Sequence, residues 1–105
     1  MSARTREETA VEFAALVTLP HGVRVPEADA PLHEHLAFTG RVAEALTPII
    51  LLYIQTGHDF AWHRWWSVQL GEDSERMHAK RWGGSAPDLS QAAMLAAISA
   101  KRGAL

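Results

Sequence analysis

The chain has 105 residues, a formal net charge of -2, 48% hydrophobic and 21% charged residues, and no cysteine. That length suits one domain over residues 1–105 and leaves no room for a second. The composition excludes a disordered polyelectrolyte, a disulfide scaffold, thiolate metal sites and thiol nucleophiles, and it lacks the basic excess of a dedicated nucleic-acid binder.

The segment MSARTREETA has basic residues but no apolar run behind them, so it does not read as a signal peptide. The longest strongly apolar run, Pro48 to Ile54, falls far short of the ~20 residues that span a bilayer. Together with the missing cysteines, this predicts a cytoplasmic protein that does not bind membranes. Arginine outnumbers lysine and alanine is abundant, which reads as a GC-rich bacterial or phage genome.

In chain order, Thr5-Arg6-Glu7-Glu8 has the pattern of a capping box, in which the Thr5 hydroxyl and the Glu8 carboxylate satisfy each other's backbone amides. Ala10, Phe13, Ala14 and Val17 recur at helical spacing, so a first helix is predicted from Arg6 to Leu19, ended by Pro20. Residues 20–31 hold three prolines and a glycine and read as a loop, with Asp29 as the next N-cap. A second helix carries Leu32, Leu36, Val42, Ala43 and Leu46 on one stripe. Ile49 to Ile54 is apolar on every side, so periodicity permits helix or buried strand. Helix is preferred because no second strong strand is evident to pair with it. A third helix is predicted from an Asp59 cap to Gly83-Gly84, with Trp62, Trp66, Leu70 and Met77 on one face. The alternation of Trp66 to Leu70 leaves a hairpin over 65–82, turning at Gly71-Glu72-Asp73, as the alternative. Ser85-Ala86-Pro87-Asp88 and Asp88-Leu89-Ser90-Gln91 both match capping boxes before a last helix that ends at Gly103.

These elements predict an all-α bundle of four helices, or five if Pro48 or Gly71 divides one. Long apolar stripes and clustered tryptophans exceed what a lone chain of this size covers, so a homodimer or larger assembly is expected.

Several residue groups carry chemistry. Trp62, Trp65 and Trp66 crowd one stretch, and on a helix Trp65 stands about 90° off the Trp62–Trp66–Leu70 stripe. An indole at the edge of a core marks an interface, where the ring buries and its N–H finds a partner. Trp62, Trp65, Trp66 and Leu70 are therefore the predicted contact surface of a small, non-enzymatic helical interaction protein. Arg64, Arg76, Lys80 and Arg81 interleave with these indoles and offer an alternative, a nucleic-acid surface that stacks bases and neutralises phosphates. Glu75 and His78 have the Glu-x-x-His spacing of helix-borne metal ligands, the basis of a third reading as a metal enzyme or carrier. A second such motif is missing, and a solvated polar face explains the pair as well. His33 and His35 point about 200° apart on a helix and cannot easily share a metal; both read as surface residues. Asp59, His63 and Ser67 fall one helical turn apart, but real triads converge from separate elements, and capping by Asp59 explains it better. Gly83-Gly84-Ser85 reads as a helix–helix turn. No catalytic residue and no cofactor is predicted.

Overall fold

The structure, a computed structural model, describes residues 5–72 and 79–103. It contains α1 (Arg6–Leu16), α2 (Leu32–Ala45), β1 (Ile49–His58), β2 (Arg64–Glu72), β3 (Arg81–Ala86) and α3 (Leu89–Gly103). The strands form an antiparallel sheet in the order β1-β2-β3. α3 packs on β2 and β3, α1 and α2 flank α3, and α2 touches β1. The architecture is α+β and overturns the predicted all-α bundle.

The error has a specific cause. Taken alone, Ile49–Ile54 favours helix for want of a pairing partner, and that partner is the Trp65–Leu70 segment. Ile54 lies opposite Val68 and Gly57 opposite Trp65. Neither strand is convincing alone; each supplies the other's hydrogen-bond ladder. β2 pairs in turn with β3, from Trp66 opposite Ala86 to Gly71 opposite Arg81, so the hairpin alternative for 65–82 has the strand at 66–70 but not its partner, which runs on to Ala86. Gly71 and Glu72 are strand residues, however, and β3 begins only at Arg81; residues 73–78 between them lie outside the described residues.

The helix ends follow local chemistry. The Thr5 hydroxyl accepts from the Glu8 amide at 3.1 Å, and the Glu8 carboxylate accepts from the Thr5 amide at 3.3 Å, completing the capping box. α1 stops at Leu16, short of the predicted Leu19, because Val17 is already extended at φ -126° and ψ 127°. Pro31, and not Asp29, caps α2. The buried stripe of α2 is His35, Phe38, Thr39 and Val42, so the helix is rotated from the predicted face and Leu32 and Leu36 are exposed. In α3, Asp88 Oδ1 accepts from the Gln91 amide at 3.0 Å, one half of the expected box. Ser85 lies in β3 and caps nothing.

The core sits between the sheet and α3. Val68 and Leu70 on β2 meet Leu89, Met94 and an alanine face of α3 at Ala92, Ala93, Ala96 and Ala97. Full burial of each large side chain contributes about 1.5–3 kcal/mol. The alanines let α3 approach β3 so closely that a Cβ at Gly84 would lie 2.4 Å from the Ala92 carbonyl oxygen and the Ala96 nitrogen. Gly84 is therefore a sheet-to-helix contact and Gly83 faces Gln69 on the other side of the sheet; the pair is not a helix–helix turn. The opposite sheet face carries Tyr53, Gln55, Trp65, Ser67, Gln69 and Ser85, with no described helix over it.

Candidate functional site

The predicted contact residues are split among three places. Trp66 and Leu70 point to the core, where Leu70 is fully buried and Trp66 half-buried. Trp65 points to the open face. Its ring lies against Gly57 of β1, where an added Cβ would come 2.8 Å from Trp65 Cζ2. The glycine is what lets the indole lie across the neighbouring strand. Trp62 is not on a helix stripe at all. It sits in the β1–β2 turn and is 80% exposed.

That turn is built around Asp59. The Trp62 N–H donates to the Asp59 carbonyl at 3.0 Å, and the Asp59 N–H donates to the His63 carbonyl at 3.0 Å. Asp59 Oδ1 accepts from the amides of Ala61 and His63, both at 2.9 Å. The Asp59 carboxyl is held below its ordinary value, chiefly by the His63 amide, with further help from the Ala61 amide and the nearby imidazole. His63 Nδ1 stands 3.4 Å from Asp59 Oδ2. Asp59 caps no helix here; it meets His63 across a turn, a contact that the capping reading sets aside. Ser67 takes no part; its hydroxyl accepts from Ser85 at 3.3 Å on the open face.

A turn with this bonding ends in a residue of left-handed conformation, a place normally filled by glycine or asparagine. Here it is Trp62, with φ 62°. A bulky side chain in that region costs on the order of 1–3 kcal/mol and persists only where its surroundings enforce it. The indole recovers little in return. Its recorded ring contact is with His58, centroids 5.9 Å apart. Phe60, at the same tip, is fully exposed. Beyond the Trp66–Ala86 pair the hairpin has no described third strand, and His58 and Arg64 are exposed as well, so this end forms an arm with an aromatic tip.

The basic residues do not gather. Arg64 starts β2 at the arm, while Lys80 and Arg81 stand at the far end of the sheet, where Arg81 pairs with Gly71. Seven strand positions separate them, roughly 23 Å. Arg76, Glu75 and His78 lie outside the described residues. Among the described residues no group of three or more His, Asp or Glu could hold a metal ion, and no helix is long and apolar enough to cross a membrane.

His33 is exposed as expected, but His35 is buried, 5% exposed, with Nδ1 2.6 Å from Ser90 Oγ. The sequence reading missed His35 and Phe60. Phe60 was findable from its position between two β-runs, once those runs were recognised. His35 was findable from its i, i+4 spacing to the buried Thr39, whose hydroxyl donates to the His35 carbonyl at 2.8 Å. Comparison of the chain with protein-family models, with curated proteins and with solved structures finds no match.

Proposed function

We propose that the protein is a non-enzymatic interaction protein that works through the β1–β2 arm, and that its first partner is a second copy of itself. The observation that carries this reading is Trp62, a strained and exposed tryptophan where a turn calls for glycine. Among the described residues the ring contact with His58 is the one return the indole has for that conformation. A partner that buries the indole and the neighbouring Phe60 would offset it, since large aromatic rings dominate contact energetics.

Self-assembly is supported by β1. This strand forms one edge of the sheet, and Ile49–His58 contains no Lys, Arg, Asp or Glu and no proline. Edge strands usually carry such residues to prevent pairing with other chains. The bulge at Leu52 protects the base of the strand but leaves Tyr53–His58 regular. Two copies pairing antiparallel along this segment would extend the sheet and bring each aromatic tip alongside its partner's β1. A cysteine-free chain acting in the cytoplasm fits this use.

The test is sedimentation of the wild-type chain and of a Phe60→Ser, Trp62→Ser double variant. The wild type is expected to show a concentration-dependent dimer or larger species, and the variant a monomer with an unchanged circular-dichroism spectrum. A wild-type monomer at every concentration removes self-assembly. An equally associated variant removes the arm as the contact element.

A further inference from the structure

A pocket of about 160 Å³ lies between the 28–32 segment, the start of α2 and the start of α3. Leu32, Trp66, Pro87 and Leu89 supply apolar walls; His35 and Asp88 are its polar side chains. The pocket is open to solvent on one side, and its volume is close to that of an engineered cavity of ~150 Å³ that takes benzene, so a single six-membered ring fits.

The two polar groups differ in what they have left to offer. Asp88 is spent: Oδ2 accepts from Arg6 Nε at 3.1 Å, and Oδ1 accepts from the Gln91 amide at 3.0 Å and from Arg6 at 3.4 Å. His35 is not. Its Nδ1 is engaged with the Ser90 hydroxyl, and its Nε2 has no described partner. No described buried side-chain nitrogen or oxygen is left unsatisfied, so Nε2 is not sealed in the core, and the pocket is the space that His35 lines. A polar atom on a side chain this buried, beside a ring-sized space with mixed polar and apolar walls, can act as an orienting group for a ligand.

We propose that this pocket binds a small phenol, its ring between Trp66 and Leu32 and its hydroxyl on His35 Nε2. The role of Nε2 depends on the tautomer. If Ser90 donates to Nδ1, Nε2 carries the hydrogen; if Nδ1 donates to Ser90, Nε2 accepts. A hydroxyl both donates and accepts, so it satisfies either state, which a ketone or a tertiary amine does not. The Asp88 carboxylate in the wall disfavours anionic rings.

The proposal stands apart from the arm and survives or fails independently of it. The test is a titration of the full chain with phenol, toluene and benzoate, followed by amide and indole N–H chemical shifts. Phenol should give saturable shifts clustered at Leu32, the Trp66 indole and Leu89. Toluene, of nearly the same shape, should bind about fivefold more weakly for want of the hydrogen bond, and benzoate more weakly still. Leu32→Trp, at a half-exposed position on the rim, should fill the pocket and abolish the phenol shifts in a folded protein. Phenol shifts that do not saturate, toluene or benzoate binding as well as phenol, or a Leu32→Trp variant that still binds would each overturn the proposal.

Discussion

The two ends of β2 are held by different physics. At the far end Val68 and Leu70 are 1% exposed, locked between neighbouring strands and the alanine face of α3. At the near end the strand leaves the helix layer, and order comes from the hydrogen bonds gathered by Asp59. The first end is determined by the packing of its core face. The second is determined by a local turn and keeps its largest apolar side chains in solvent. Within one strand, the chain separates what folds it from what it has to offer.

Substitutions at the two ends should therefore behave in opposite ways. The largest effect is expected from Leu70→Ala, which should lower stability by about 3 kcal/mol in urea unfolding by opening a cavity under α3. A loss well under 1 kcal/mol would mean that the core between sheet and helix is loosely formed. Gly84→Ala should cost about 1–3 kcal/mol, because the added Cβ meets helix backbone that can move only with the whole of α3. Gly40 is its counterpart in the middle of α2, where a Cβ meets nothing within 4 Å. Gly40→Ala should accordingly stabilise by about 0.5–1 kcal/mol. Equal effects at the two glycines would deny the close approach of α3 to β3.

Acid should disturb the arm before the core. The depressed Asp59 carboxyl adds stability that is complete above its ordinary value, about 3.8, and is lost as pH falls through the lower folded value. Between pH 5 and 2 the Ala61 and His63 amides should lose exchange protection while those of Val68 and Leu70 keep theirs. Simultaneous loss at both sites would show that the arm is not an independently held element.

The same division explains what could be read from the sequence. α1 and α3 were legible because their starts are written in neighbouring residues, Thr5 with Glu8 and Asp88 with Gln91. The sheet was not, because its signal is non-local. Ile49–Ile54 reads as strand only beside Trp65–Leu70, and the turn that joins them lacks the glycine by which such hairpins are recognised. Trp62 stands in that place and lent the segment a false helical stripe with Trp66 and Leu70. Of the contact surface, only the separation of Trp65 from the Trp66 side was foreseeable. What covers Trp65 proves to be local: its ring crosses β1 at Gly57. The unanswered demand lies at Trp62 and Phe60.

The central claim is that the chain bears the strain at Trp62 for the sake of contact. Trp62→Gly tests it most directly, with stability and mass measured on the same sample. Glycine adopts the left-handed conformation freely, so the variant should gain about 1 kcal/mol in unfolding at a concentration where both chains are monomeric. It should also lose the association of the wild type. A variant that is less stable, or one that associates as the wild type does, would contradict the account.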